Sequence, residues 1–391
     1  MRVLYLAAAV LITASCTGHP SVPAPVQLPP HASDSLAVSV RVDSANHEII
    51  VDAGPFDVPA MPPMMHHGDM KMDHGGMQMD DDMMMMLPPQ LLRFDWPVDG
   101  WLRGFRLGPV DAQGHPLSSE LLHHVIGVNF DRRQLVYDAL ERPFAGGTET
   151  GEVMLPKELG LPFPKGDHLG LWGAWHNETG KALHNVYLRA VLYWTPSTAR
   201  PKPMDVFPFY ADVHYVYGGD NAFDLPPGRT VKSYTFTQPI TGRLLGIGGH
   251  LHDYGETVSL IDAETGKDLV TLHSIHDDSG HVTGVSRKMF ILSTLKLVAG
   301  HRYTVQAVYD NPRPDTIKLG AMAHVDGAFA PDDPSKWPAI DPTDPNFKKD
   351  VAAIPPLGAT AVVMSRAASV SDTKTATAGD RDPKRDPRSQ R

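Results

Sequence analysis

The run GIGGHLHDYGE contains two histidines separated by a single residue, which is a spacing found in paired metal ligands. Alternate residues of a β-strand point to the same face, so His250 and His252 would present both imidazoles on one side of a sheet. Glycines at positions 246, 248, 249 and 255 frame the pair and leave room for close approach of another backbone or a ligand. The spacing indicates a metal site built on a strand, although a His-x-His pair is also common among ordinary polar histidines.

A second candidate pair, His123 and His124, is adjacent in the apolar run ELLHHVIGVNF. Neighbouring residues of a regular strand face opposite sides, so both could bind one metal only at a β-bulge or at the end of the strand. Without such a feature, one histidine would lie in the core and the other in solvent. Taken alone, His176 in WGAWHNETG and Met322 in LGAMAHVDG are most simply explained by core packing.

Taken together and in this order, a double histidine, a single histidine, a His-x-His-x-x-Gly run and a methionine resemble the copper type II, ascorbate-dependent monooxygenases. This is the family of peptidylglycine α-hydroxylating monooxygenase and dopamine β-monooxygenase. The resemblance covers roughly residues 91–329, and its sharpest motif, HLHDYG, is followed 70 positions after His252 by Met322. The run PPGRTVKSYTF before this motif is also similar to the family's strand entry.

The resemblance implies two copper ions and a one-electron reductant such as ascorbate. It implies an electron-transfer site at His123, His124 and His176, and a catalytic site for oxygen at His250, His252 and Met322. The expected reaction is hydroxylation of a C–H bond in an unknown small-molecule or peptide substrate with O2. Imidazoles suit both copper oxidation states and a thioether favours Cu(I), which is consistent with this assignment.

Several points of the resemblance stay open. His184 is an alternative to His176 in the first site, and His324 is an alternative to Met322 in the second. The disulfide cysteines of the animal enzymes are absent, and the residues that hold a peptide carboxylate or a catecholamine cannot be matched. A non-catalytic copper-binding lipoprotein for copper tolerance or handover is therefore the second hypothesis, and a β-sandwich that binds carbohydrate or protein is the third.

A methionine-rich segment at 61–86 contains eleven of the chain's seventeen methionines. Thioethers are soft ligands that need no deprotonation, so such a segment can capture Cu(I) loosely, whereas its aspartates would be costly to bury. Its irregular spacing does not preorganise a catalytic site, so we predict copper capture or delivery. The accessory ligands are Met64, Met65, His66, His67, Met70, Met72, His74, Met77 and Met79.

The two ends of the chain predict an exported protein. Residues 1–16 have the layout of a signal peptide, and Cys16, the only cysteine, stands where a lipoprotein cysteine would be lipidated. We expect a periplasmic or cell-surface protein, lipid-anchored to the outer membrane, with a flexible tether at 17–33 and a disordered tail at 364–391. A single cysteine allows no internal disulfide, so the core must hold the fold.

Short runs with period-two alternation dominate the remaining chain and predict an all-β fold. We expect two tandem antiparallel β-sandwich (jelly-roll) domains, at 34–200 and 205–363, joined at the proline-rich stretch from Thr195 to Pro208. The best candidate for a helix is LPKELG, residues 155–160. A net charge of -10 and the lack of a basic stripe argue against nucleic acid as a partner.

Overall fold

The computed structural model describes residues 36–60, 89–147, 150–177, 179–278, 281–290 and 295–363. Of these residues, 58% lie in strands and 5% in helices, so the prediction of an all-β, sandwich-like protein is confirmed. Four predicted features lie outside the described residues: the signal peptide with Cys16, the tether at 17–33, the methionine-rich segment at 61–86 and the tail at 364–391.

The first half of the chain contributes eleven strands, β1 to β11. In chain order they are Ala37–Asp43, Glu48–Val58, Leu91–Asp95, Gly100–Val110, Leu122–Arg133, Leu140–Glu141, Ala145–Gly147, Val153–Met154, Leu159–Phe163, His168–Trp175 and Leu183–Pro196. A 3-10 turn at Ser119–Leu121 precedes β5.

The second half contributes strands β12 to β25 and the one α-helix of the described ranges. The strands are Met204–Asp205, Phe207–Asp212, Phe223–Leu225, Gly228–Thr237, Gly242–Leu251, Gly255–Asp262, Asp268–His276, Val282–Val285, Lys288–Met289, Leu295–Leu297, Arg302–Asn311, Ile317–Ala321, Ala323–Pro331 and Leu357–Val363. A 3-10 turn spans Pro334–Lys336, and helix α1 spans Pro345–Ala352.

Two antiparallel layers enclose the core of the first half. One layer has the order β9-β4-β11-β2-β1 and the other the order β3-β10-β5-β6, with β25 between β1 and β3. Alternation explains the burial: Val38 and Val40 of β1 are buried, whereas Ser39 between them is partly exposed. Buried side chains from both layers form one hydrophobic cluster.

Strand β25 departs from the predicted domain boundaries. It belongs by position to the predicted range 205–363, yet it pairs in parallel with both β1 and β3 of the first half. An alternating apolar run identifies a strand without identifying its partner, and this pairing depends on contacts some 300 residues apart in the chain. The last strand is therefore reassigned to the first-half sheet.

The second half forms a separate core between two sheets. One sheet has the order β13-β24-β16-β20, with β21 also paired to β16, and the other has the order β15-β22-β17-β18-β19. In β22, Tyr303, Val305, Ala307 and Tyr309 are all buried at alternate positions, so this face packs against the opposite sheet. Strands β14 and β23 form a short additional pair.

The predicted helix at LPKELG is wrong. Residues 157 and 158 form a turn, and Leu159 already begins β9, which pairs with β4. The α-helix begins instead after Asp344, whose side chain accepts hydrogen bonds from the main-chain N–H groups of Asn346 and Phe347. Among the helices of the described ranges, none has the length and apolar character to cross a bilayer.

The two halves make specific polar contacts with one another. The Tyr137 hydroxyl, from the loop after β5, accepts a hydrogen bond from the Asp212 main-chain N–H at 2.8 Å. The Trp337 indole N–H donates to the Arg133 carbonyl at 2.9 Å. The Leu140 main-chain N–H donates to the Asp350 carboxylate of α1 at 2.9 Å, which ties the helix to the first-half sheet.

Candidate metal centres

The first histidine cluster lies at the start of β5, where the pairing with β10 is irregular. Ala174 pairs with His124, but the next residue, Trp175, pairs with Leu122, so His123 is an extra residue in β5. Such a bulge lets two neighbouring side chains leave the same side of a sheet. His123 and His124 are indeed both exposed, between buried Leu122 and Val125. The bulge that joint ligation would require is therefore present.

His176 completes this cluster from the end of β10. Its main-chain N–H donates to the Leu121 carbonyl at 2.9 Å, which fixes it beside the start of β5. The His123 and His124 rings have centroids 3.9 Å apart, and the His123 and His176 rings 6.2 Å. The structure thus brings together the three histidines of the predicted electron-transfer site.

The alternative third residue, His184, has a different neighbour. Its Nδ1 lies 2.9 Å from an Asp57 carboxylate oxygen, and both side chains are largely exposed. This pair joins β11 to β2 at their ends. The geometry favours His176 over His184 as the third member of the cluster.

The second cluster lies on regularly paired strands. His250 of β16 is directly opposite His324 of β24 in an antiparallel ladder, and Leu251 is opposite Ala323. Residues directly opposite one another project to the same face. One step beyond the last pair, the His252 main-chain N–H donates to the Met322 carbonyl at 3.2 Å. His250, His252, Met322 and His324 are thus gathered at one end of the sheet.

Ring geometry links three of these residues directly. The His250 and His252 centroids are 5.1 Å apart, and the His250 and His324 rings are stacked at 5.4 Å. Imidazoles that share a metal through bonds of about 2.0–2.1 Å have centroids on the order of 5–6 Å apart. Both separations fit a shared ion.

The Nδ1 atom of His324 is buried and has no hydrogen-bond partner within the described ranges. Burial, together with nearby His252, lowers the pKa of His324 to about 4, so its imidazole is neutral at neutral pH. A neutral imidazole is the form that binds metals. The position of His324 opposite His250, with its unpaired Nδ1, supports it as the alternative to Met322.

An ion pair braces the turn that follows His252. The Asp253 carboxylate lies 2.7 Å from Nδ1 of His281 and accepts the Val282 main-chain N–H at 2.9 Å. The hydrogen bond to Asp253 and the charge of that carboxylate raise the pKa of His281. Sequence reasoning missed this brace, although the position of Asp253 directly after His252 was a usable signal.

A tyrosine beside His324 was also missed, and no local signal pointed to it. The Tyr210 ring centroid lies 4.7 Å from that of His324, and its hydroxyl donates to the Asp212 carboxylate at 2.7 Å. Both residues belong to β13, whose pairing with β24 places Asp212 opposite His324. The second cluster therefore has a packed wall of aromatic and acidic residues on one side.

Neither cluster is a finished coordination sphere. In the part of the chain that the structure describes, no three His, Cys, Asp or Glu side chains are arranged to hold a metal ion. The donor sets nevertheless fit copper in kind, with imidazoles in both clusters and a thioether residue at the second. The predicted accessory ligands at Met64 to Met79 lie outside the described residues.

The chain was also compared with known proteins. No protein-family model matches it, and no curated protein matches it. Any function assigned to this chain must therefore rest on the two clusters themselves.

Proposed function

We propose that this chain is a copper-dependent monooxygenase-like protein with two copper sites, one in each half. It would hydroxylate a C–H bond of a small-molecule or peptide substrate, with O2 and a one-electron reductant such as ascorbate. Copper would supply oxygen activation and the storage of electrons. The proposal includes two tandem jelly-roll sandwiches, export, and a lipid anchor in the outer membrane at Cys16.

The observation that carries the proposal is the convergence of the second cluster. Four side chains with metal-binding chemistry, from two separate stretches of the sequence, meet at one end of the β16–β24 pair, and a buried ring nitrogen among them lacks a partner. A buried polar atom without a partner calls for an explanation, and an unfilled ligand position would account for the one on His324.

Each residue has a distinct role in this proposal. His250 and His252 would hold the ion at the catalytic site, and the third position would belong to Met322 or His324. A thioether there favours Cu(I), the form that reacts with oxygen, whereas an imidazole shifts the balance towards Cu(II). The choice between these two residues therefore decides whether the site suits oxygen chemistry.

The first cluster would serve electron transfer. His123, His124 and His176 offer only nitrogen donors, which accommodate both copper oxidation states. The exposure of His123 and His124 allows a soluble reductant to approach. No substrate chemistry is assigned to this cluster.

A second function is favoured by a specific observation. His123, His124 and His250 are all exposed, which suits a protein that accepts and releases copper as well as an enzyme. On this reading the same residues serve a periplasmic copper-binding lipoprotein for tolerance or handover, and the methionine-rich segment delivers Cu(I) to them.

The test begins with a count of copper per chain, with and without residues 61–86, followed by oxygen consumption with ascorbate. Two ions in the shortened protein and substrate-dependent oxygen uptake would support the enzyme. Tight copper binding without turnover across small-molecule and peptide candidates would favour the binding protein. The H250A/H252A double variant is the control, because oxygen uptake that survives in it arises elsewhere.

A further inference from the structure

Tyr309 is a tyrosine of the second-half core whose hydroxyl reaches the candidate site. It lies in β22, paired on one side with Thr230 of β15 and on the other with Gly255 of β17, and it has no solvent exposure. A hydroxyl at such a position is costly unless it forms hydrogen bonds. Phenylalanine would fill the same space, so the hydroxyl calls for a local explanation.

That hydroxyl contacts the main chain beside the site. It donates a hydrogen bond to the Met322 carbonyl at 2.6 Å. The His252 N–H donates to the same carbonyl at 3.2 Å. The Met322 carbonyl therefore accepts hydrogen bonds from both the buried phenol and His252, and it links the phenol to the two segments that carry candidate ligands.

The location of this junction matters because regular pairing ends just before it. The β16–β24 ladder ends at Leu251 and Ala323. The chain then turns at Tyr254, which has a positive φ of 66°, and the Asp310 main-chain N–H donates to the Tyr254 carbonyl at 2.9 Å. Two successive residues of β22, Tyr309 and Asp310, therefore form hydrogen bonds at or beside this turn.

We propose that Tyr309 is a positioning residue that clamps the main chain of His252 to that of Met322, and so sets the distance between the ligands of the second metal site. The metal part of this inference rests on the proposed function, whereas the clamp itself can be tested in the metal-free protein. Groups that orient ligands without touching the metal are often nearly as important as the ligands.

The test compares Tyr309→Phe with Tyr303→Phe in the full chain. Tyr303 is a close match, because it is buried in the same strand and its hydroxyl also bonds to main chain, accepting the Val298 N–H at 3.0 Å. Both variants keep the aromatic ring, and the Met322 carbonyl keeps its bond from His252, so both are expected to fold. Thermal unfolding checks this.

The first readout is amide hydrogen exchange without metal. We expect Tyr309→Phe to speed exchange in peptides covering 250–255, and Tyr303→Phe to do so only near Val298. Unchanged exchange at 250–255 in Tyr309→Phe would overturn the clamp, whatever the protein binds.

The second readout is Cu(II) binding by competition titration, with the electron paramagnetic resonance spectrum of the bound ion. Each variant is placed in an H123A/H124A background, and H250A/H252A defines the copper that belongs to the second cluster. We expect about tenfold weaker binding and a changed copper hyperfine splitting for Tyr309→Phe, with Tyr303→Phe unchanged. Equal effects of both substitutions would overturn the positioning role. If H250A/H252A removes no copper, the proposed function fails, and the exchange measurement still decides the clamp.

Discussion

The histidine cluster of the first half lies on a β-bulge, whereas that of the second half lies on regularly paired strands. At the bulge, one extra residue in β5 turns His123 and His124 to the same exposed side. In the second half, His250 and His324 face one another because antiparallel pairing places them in register. A β-bulge therefore brings the histidines together in the first half, and regular strand pairing does so in the second half.

The surroundings of the two clusters differ as much as their backbones. His123 and His124 stand exposed on the surface, with His176 beside them. The second cluster has a buried nitrogen on His324, the Tyr210 ring at 4.7 Å and the Tyr309 hydroxyl beneath its main chain. An open cluster can adjust to either oxidation state of a metal, whereas a supported one holds its ligands in fewer arrangements. This contrast is consistent with the roles proposed above, which are electron transfer at the first cluster and oxygen chemistry at the second.

The largest expected effect comes from removing ligands at each cluster separately. H250A/H252A should lose one copper per chain and abolish oxygen uptake, because it removes two of the three ligands proposed for the oxygen site. H123A/H124A should also lose one copper but keep copper at the second cluster. Copper analysis and oxygen consumption measure both results. Two histidines outside the clusters serve as controls: His273→Ala for the second cluster and His184→Ala for the first. Loss of copper in either control variant would contradict the assignment of copper to the two clusters.

The next largest effect tests whether Met322 or His324 is the third ligand at the second cluster. Met322→His should retain copper and lower ascorbate-driven oxygen chemistry by roughly a hundredfold, since a nitrogen ligand stabilises Cu(II). His324→Gln should lower copper affinity if the imidazole is the third ligand. Copper affinity and steady-state oxygen uptake are measured on both variants. Unchanged turnover in Met322→His would remove Met322 from the site and leave His324 as the ligand.

Acid titration compares a buried carboxyl beside the second cluster with one that is remote from both clusters. Burial raises the pKa of Asp212, opposite His324, and of Asp167, at the far end of β10 from His176, to about 6 in each case. Between about pH 4 and pH 6 the unfolded chain has lost a proton that the folded chain still holds, so the free energy of unfolding falls as pH rises through this window.

For Asp212 the loss is on the order of 2–3 kcal/mol, and Asp212→Asn should remove it. Urea denaturation from pH 4 to pH 7 measures the slope. Asp167→Asn serves as the comparison, because it should flatten the profile without touching the second cluster. An Asp212→Asn profile as steep as that of the unmodified chain would show that this carboxyl ionises normally in the fold.

A smaller effect concerns how tightly each cluster's strand is packed. A methyl group at Gly249 would lie 2.6 Å from the His324 main-chain oxygen, whereas one at Gly173 of β10 would lie 3.4 Å from its nearest neighbour, Leu188. Gly249→Ala should therefore cost about 1–3 kcal/mol of stability and displace His324, and Gly173→Ala should cost little. Thermal unfolding compares them. Equal stability of the two variants would mean that the second cluster is no more tightly supported than the first.

The smallest expected effect is that of deleting residues 61–86. With copper in excess, the deletion should leave stability and loaded activity unchanged, because long surface insertions cost only slowly growing closure entropy. With scarce Cu(I), the full chain should load faster through a higher local copper concentration. Uptake rates of the apo protein at both copper levels give the answer. Equal rates would make the segment a passive insertion, and loss of bound copper at saturation would move the principal site into it.

The sequence by itself determined the all-β class and most of the strands that carry the candidate residues. Period-two alternation is a local property, so runs such as HLGLWGAW and YTVQAVY correspond directly to β10 and β22. The His-x-His spacing and the adjacent histidines were equally local signals. The need for a bulge at His123 could be stated from strand geometry alone.

Only the tertiary structure decided which strands become neighbours. The pairing of β25 with β1 and β3, the register that sets His324 opposite His250, and the reach of the Tyr309 hydroxyl to Met322 all join residues distant in the chain. Each depends on hydrogen bonds and packing that form when separate strands meet, and an alternating pattern does not name its partner. The proposed third ligand position and the contacts that support it are therefore properties of the assembled sheet, because register between strands has no counterpart in any single run of residues.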